Sequence, residues 1–297
     1  MPIKRPAREN HNTSHPKKKL KGQELEEDQL KWRLTVGLIC AITTEYVAAQ
    51  AFLDATHDPP ESAPVNDNNK YTLGEIGKHN IVITFLPKGA YGTTSAANVA
   101  RDTLRTFPNI RIGLMVGIGG GAPSSRHDIR PGDIIVSTPY NKEGEVFQYD
   151  FGKTIEGKEF QATATEVGDL EAKYELHGHQ LEETINNILD KNSRLKKKYK
   201  RPDPDTGRLD LSGLKHSAND EANCAEACGD DDNLTVCYII VPFANQLIKD
   251  AVLCDKFAKE NEVLCFEMEA AGLMNCFLCL VIRGICDYSD KHKNKEW

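Results

Sequence analysis

The chain stays polar for its first 33 residues, and then the hydrophobic pattern begins abruptly. Residues 34–42 (LTVGLICAI) form a continuous apolar, β-rich run, which predicts a strand buried on both faces. Thr43-Thr44-Glu45 follows as an N-cap and first-turn acid for a helix reaching about Leu53. Residues 71–76 and 80–86 read as paired strands around Gly77-Lys78-His79. The alanine-rich stretch 94–105 (TSAANVARDTLR) predicts a helix that stops before Pro108. Residues 110–116 make a second buried strand, and it runs into Gly117-Ile118-Gly119-Gly120-Gly121. A further strand, 134–137, follows the turn Pro131-Gly132-Asp133.

The pattern breaks at 190–232. Seven bases (Lys191, Arg194, Lys196, Lys197, Lys198, Lys200, Arg201) give way to Pro202-Asp203-Pro204-Asp205 and then to acids around Asp230-Asp231-Asp232. With little apolar periodicity after Leu195, this segment reads as an exposed insertion. Order resumes with a strand at 234–241, a helix at 245–259, a strand at 263–266, a helix at 269–277 and a strand at 279–285. Alternating strands and helices predict an α/β fold with a mixed central β-sheet flanked by helices, in a single domain spanning 34–297. Residues 1–33 read as a disordered basic tail. The chain stops at Trp297 in polar sequence, so a closing C-terminal helix is expected to be missing.

Composition narrows the function. The formal charge of -7, from 44 acids and 37 bases, gives the folded part no basic field for holding DNA or RNA. Nine cysteines, an odd number set mostly in apolar runs, together with no signal peptide, point to free thiols in a reducing intracellular compartment. No apolar run reaches the roughly 18 residues needed to span a bilayer. A cytoplasmic protein is expected, with the basic clusters in the tail leaving a nuclear location open. Cys224 and Cys228 form one Cys-x3-Cys pair without a second, weak grounds for zinc.

Three constellations carry chemistry. Gly117-x-Gly119-x-x-Ala122 superficially fits a dinucleotide fingerprint, but Pro123-Ser124-Ser125 does not open the long helix that motif needs. A close backbone approach to a ligand, with amides pointing inward, is the more economical reading, and a tight turn without a ligand is the plainer one. Glu45 sits near a helix N-terminus, where a carboxylate is favoured in any protein. The richest stretch is Phe266-Glu267-Met268-Glu269-Ala270-Ala271-Gly272, followed by Arg283-Gly284-Ile285-Cys286-Asp287. Strand alternation puts Glu267 and Glu269 on one side, and Met268 offers an apolar face to a sugar or base. Asp287 ends a buried run, where carboxyl pKa values tend to rise and a proton becomes available for donation.

Together these motifs resemble the purine nucleoside phosphorylase and nucleosidase superfamily. Ile39 to Glu45, Val116 to Gly120, Phe266 to Ala271 and Arg283 to Asp287 occur in that family's order, over about residues 34–297. They are most similar to the phosphorylase-like domains of fungal innate-immunity-type receptors, which precede NACHT, ankyrin or TPR regions.

The resemblance implies cleavage of the N-glycosidic bond of a purine nucleoside or nucleotide, without a metal or other cofactor. Asp287 would protonate the base, Glu269 would hold the ribose hydroxyls, Met268 would pack on the sugar, and Glu267 would belong to the same substrate pocket. Glu45 matches the water-activating position of the nucleosidase branch. Gly117, Gly119 and Gly120 would lie along the ribosyl or phosphate side, and Phe243 would border the base. Phosphorolysis needs inorganic phosphate, and typical bacterial phosphorylases carry an arginine just before the glycines, where this chain has Leu114-Met115-Val116. Hydrolysis is therefore preferred, with an ATP nucleosidase-like immune effector as one form of it. A phosphate-dependent phosphorylase, with Arg101, Arg126 or Arg130 on the phosphate, and a non-catalytic sensing module are the alternatives. Relatives of this kind are commonly homo-oligomers. The segment Cys237-Tyr238-Ile239-Ile240-Val241-Pro242 departs from the family's usual histidine-tyrosine-glycine pattern.

Overall fold

The computed structural model describes residues 34–59, 64–124, 126–137, 146–148, 153–154, 161–202, 236–239, 241–243, 251–261, 263–274, 277 and 279–289. The tail 1–33, the Cys224–Cys228 pair and most of the 190–232 insertion lie outside these residues.

The run of buried apolar residues at the start of the domain does become a strand, β1 (Val36–Cys40), with all five residues buried. Its neighbours β4 (His79–Phe85) and β5 (Ile112–Gly121) pair with it in parallel. β12 (Cys279–Tyr288) pairs in parallel with β5. β4, β1, β5 and β12 thus form the parallel centre of a nine-stranded sheet. Around it lie β2 (Ala55–His57) and β3 (Thr72–Ile76) on one side, and β6 (Ile134–Ser137) and β9 (Val236–Ile239) on the other. The β3–β4 and β12–β6 pairs are antiparallel, so the sheet is mixed as the alternation predicted. A separate three-stranded sheet joins β7 (Val146–Gln148), β8 (Lys153–Thr154) and β10 (Val241–Phe243).

Alternation along the strands divides the core into two layers. Leu38, Cys40, Ile81 and Ile83 face α1 (Thr43–Ala51), packing with its Tyr46 and Ala49. Ile39, Met115, Val281 and Ile285 face the other way. They pack with Ala96, Val99 and Ala100 of α2 (Thr93–Thr106) and, through the same core, with Leu273 of α7 (Ala270–Met274). Small residues let α2 and α7 lie close: on α7, a Cβ at Gly272 would fall 1.8 Å from the Thr93 carbonyl oxygen. The loop between β3 and the domain body is tied down by polar contacts. Tyr71 donates to Asp67 at 2.7 Å, Thr106 also donates to Asp67, and Asn69 reaches the Val99 carbonyl at 2.9 Å.

Three sequence expectations are corrected here. The strand read at 110–116 was expected to stop at the glycines 117–121, yet β5 runs on to Gly121, because β12 pairs along it on one side and β11 (Cys265–Phe266) crosses Gly120 and Gly121 antiparallel. The N-cap of α1 is Ile42 rather than Thr43, and Glu45 supplies the capping acceptor by bonding back to the Ile42 amide at 3.0 Å. The stretch 234–241 is split into β9 and β10, which join different sheets.

The stretch before the insertion is helical: α3 (Gln161–His177), α4 (Leu181–Lys191) and α5 (Ser193–Lys198), with no buried residue on α4 or α5. α6 (Ala251–Asn261) packs Cys254 and Ala258 against Ala122, Val263 and Phe266. No helix among the described residues is long and apolar enough to cross a membrane.

Met115 is fully enclosed between the sheet and α2. Met115→Ala should lower unfolding free energy by about 2–5 kcal/mol in urea melts, the range for deleting a large side chain from a core that only partly collapses.

Candidate active site

The parallel strands bring their carboxyl ends to one edge, where ligands of open α/β sheets bind. Glu45 stands just beyond β1, the glycines end β5, Arg283 to Asp287 end β12, and the loop after β4 leads through Gly92 into α2. Glu267 and Glu269 arrive from the short link between β11 and α7. Among the chemistry-bearing residues read from the sequence, the structure brings Glu45, Gly117, Glu267, Glu269 and Asp287 to this edge. Phe243 lies at the end of β10, a strand that passes close to β11.

The residue that organises the site is one to which the sequence analysis gave no role. Arg283 is fully buried on β12, and its Nη2 contacts Glu267 at 2.6 Å and Glu269 at 3.8 Å. Burial opposes its charge, but Glu267, Glu269 and Glu45 outweigh that cost and hold the guanidinium protonated. Its Nε and Nη1 have no hydrogen-bond partner among the described residues. The available signal was a lone arginine inside the apolar run LVIRGI, followed by a glycine. A buried cation there demands buried acids, and this chain holds an excess of acids sixteen positions upstream.

Gly117 explains itself against the same group. A Cβ there would lie 2.4 Å from Arg283 Nη1 and 2.5 Å from Glu45 Oε1. The missing side chain is the space in which the two charges sit side by side. Gly119 likewise faces the Arg283 stem, and Gly120 faces Ser289 Oγ and Asp287 Oδ1. The glycines therefore make room for charged side chains, and one amide of the run points inward: Ile118 N–H donates to Glu45 Oε1 at 2.8 Å. Oε2 of Glu45 accepts from the amides of Ala41 at 2.6 Å and Ile42 at 3.0 Å. Three of the roughly four acceptor positions of this carboxylate are thus filled by backbone, which leaves room for about one water.

Glu267, the acid hardest to place from sequence, also has a structural task. Besides Arg283 it accepts from the amides of Glu269 and Ala270, both at 3.0 Å, so it caps α7. Glu269, two residues on, accepts among the described residues only a long bond from Gly92 N–H at 3.4 Å. Burial, and then the neighbouring Glu267 charge, push its carboxyl up to about 7. Met268 between them is half-buried.

Asp287 owes its position to a β-bulge. β12 keeps register with β5 through Ile285–Gly119, then slips so that Asp287 pairs with Gly120, leaving Cys286 out. Up to Ile285 odd-numbered residues are buried and even-numbered ones half-exposed; after the slip Asp287 is half-exposed and Tyr288 buried. Without the slip Asp287 would point with Arg283 and Ile285 into the core. The buried thiols Cys40 and Cys265 stay protonated, since burial pushes both up to about 12.

This architecture is the fold of 5′-methylthioadenosine/S-adenosylhomocysteine nucleosidases. The 5′-methylthioadenosine/S-adenosylhomocysteine nucleosidases of Neisseria meningitidis, in complex with methylthio-immucillin-A, and of Streptococcus pneumoniae, in complex with 8-aminoadenine, each superpose with a TM-score of 0.51 at 13% identity. The alignments cover 87% of this chain and 88% of the first, and 88% and 89% for the second. A nucleotide-binding leucine-rich repeat (NLR)-like protein of Hyaloscypha variabilis is 43% identical over 274 residues, which is 89% of this chain. The chain spans 27% of that relative's length. No family model matches the chain.

Glu269 gives the site a pH signature. Its raised native pKa means ionisation is disfavoured in the folded state, so its contribution to stability is complete below pH 4.5 and is lost as pH rises through about 7. Urea midpoints of the wild type should therefore fall across that window more steeply than those of Glu269→Gln, which has nothing to ionise there.

Proposed function

We propose that this domain hydrolyses the N-glycosidic bond of a purine nucleoside or nucleotide. The observation that carries the reading is the gathering of Glu45, Glu267 and Glu269 around Arg283, the one buried cation among the described residues, with Asp287 set apart from them by the bulge. Three carboxyl groups against one guanidinium leave an excess of negative charge, which is largest when Glu269 is ionised. Such a site stabilises a ribosyl centre that becomes cationic as the bond to the base stretches. It also repels a second anion, which favours water over inorganic phosphate as the nucleophile.

In this mechanism Asp287 donates its proton to the departing purine, so the base leaves neutral. Water held at the remaining acceptor position of Glu45 attacks the sugar carbon, and Glu45 takes its proton. The C–N bond breaks, a C–O bond forms, and proton transfer through solvent restores both carboxyl groups. Glu269 binds the ribose hydroxyls, while Met268 lies against the sugar. Gly117, Gly119 and Gly120 keep the strand bare beneath them, and Phe243 is assigned to the rim of the base pocket. No metal or cofactor takes part. Arg101 supports no phosphate contact in this reading, because it sits beside Asp102 at 3.3 Å, and Arg130 is held by Asp128 at 2.7 Å.

The similarity to a much longer NLR-like protein supports a domain that works as one part of a larger fungal receptor, its product or its bound nucleotide serving as the signal. Substrate identity within the purines, homo-oligomer formation and a cytoplasmic location belong to the same proposal.

Chromatographic assay of free base from adenosine, inosine, AMP and ATP, with and without phosphate, tests it. Release independent of phosphate is expected, and no release from any of the four would sink the catalytic reading. Asp287→Ala should abolish release. Glu45→Gln keeps the side chain's size but removes the base, and should slow hydrolysis by about 100-fold or more, the usual scale of general-base catalysis. A Glu45 variant as active as wild type would remove that residue from the mechanism.

A further inference from the structure

Gly272 lies on α7, outside the charged cluster, and does no chemistry. Its backbone nevertheless meets the first turn of α2 more tightly than any other described glycine meets a neighbour. A Cβ added there would lie 1.8 Å from the carbonyl oxygen of Thr93, 2.5 Å from its carbonyl carbon and 2.7 Å from its Cα. All three are backbone atoms, so no side-chain rotation relieves the clash. The two helices would have to part by about 1 Å or more to restore ordinary van der Waals contact.

The contact is one residue from the α2 N-cap. Gly92 takes φ 89° and ψ 179°, a conformation open to glycine and closed to residues with a Cβ, and this points its N–H at Glu269 Oε1. Glu269 in turn begins the turn that contains Gly272: its own carbonyl accepts the Gly272 N–H at 3.0 Å. The chain therefore closes a small circuit, from Gly272 to Thr93, from Gly92 to the Glu269 carboxylate, and back through the Glu269 backbone. The other charged groups facing Glu269 are Glu267, Arg283 and Glu45, and none of them touches α2 in this circuit.

We infer that Gly272 is a positioning residue: its lack of a side chain sets the distance between α2 and α7, and with it the Gly92 bond that aims Glu269 at the sugar. The sugar role of Glu269 rests on the proposed function above; the Gly272–Gly92–Glu269 linkage rests on geometry alone. Gly272→Ala would push Thr93 away, draw the Gly92 donor off Oε1 and leave Glu269 without its backbone partner.

Two readouts on the intact chain separate these layers. In the first, binding of a purine ribonucleoside is compared with binding of its 2′,3′-dideoxy analogue. Gly272→Ala should weaken the ribonucleoside by up to about 100-fold, the cost of a misplacement near 1 Å, and leave the analogue unchanged. Equal loss for both would mean a general packing defect and overturn the inference. In the second, the Glu269 carboxyl is titrated by carbon-detected NMR, assigned by its absence in Glu269→Gln. Losing a donor that favours the ionised form must move the Glu269 midpoint upward in Gly272→Ala, and an unmoved midpoint overturns the linkage. This readout needs no activity, so a wild type that neither binds nor cleaves purine nucleosides would refute the functional reading while the titration still decides the linkage. Should Gly272→Ala fail to fold, replacing Gly92 by glycolic acid removes the N–H directly. The same upward shift is expected there, and its absence refutes the linkage.

Discussion

One buried guanidinium holds this site together. Arg283 enters from the middle of a strand whose other inward residues are apolar, and at that depth an unpaired charge is intolerable. The fold answers with three acids from two different places: Glu267 and Glu269 from the link before α7, and Glu45 from the first turn of α1. Each acid is tied into backbone as well. Glu267 caps α7, and Glu45 fastens the start of α1 to the glycine strand. The electrostatic demand of a single residue thereby fixes where two helices begin and how closely β5 is approached. Breaking the group by removing the arginine would strand several negative charges in the interior, so chemistry and stability are not separable here.

The parallel centre of the sheet explains why such a cluster forms at this edge. β4, β1, β5 and β12 all point the same way, so the segments that leave them emerge together. Sequence positions as distant as 45, 92, 117 and 283 become neighbours through this common direction. Within the cluster the acids diverge in character. Glu267 is saturated by Arg283 and two amides, whereas Glu269 has one long bond and a pKa pushed to about 7 by burial and by Glu267. The least satisfied acid is the one with capacity to meet a ligand.

Much of this was legible in the sequence, and the exceptions have physical causes. Strands β1 and β12, the β3–β4 hairpin and α2 follow from apolar runs, a glycine-bearing turn and alanine content. The glycine run was misleading, because four glycines in five residues usually mark a turn. Here pairing on both sides holds them extended, and their lack of Cβ atoms serves Arg283, Glu45 and Ser289. No cation stands just before those glycines, where the chain reads Leu114-Met115-Val116. The cation is present on the neighbouring strand instead, paired in register with Gly117. Such a relation is invisible without the strand order. Glu267 was unassignable for a similar reason, since its charged partner, Arg283, reaches it only through tertiary contact.

The slip at Cys286 has a bearing on how this scaffold can change over time. Before it, β12 supplies core residues in strict alternation; after it, the alternation restarts with opposite phase. The strand is therefore divided into two portions whose residues answer to different pressures. Substitutions that retune the apolar packing at 279, 281 or 285 leave the orientation of Asp287 set by the slip alone. The stretch beyond the slip answers to both demands, because Asp287 is half-exposed while Tyr288 is buried. A single residue left out of the pairing thus decides which face of the strand Asp287 occupies, and ties that orientation to the same sheet that keeps the domain folded.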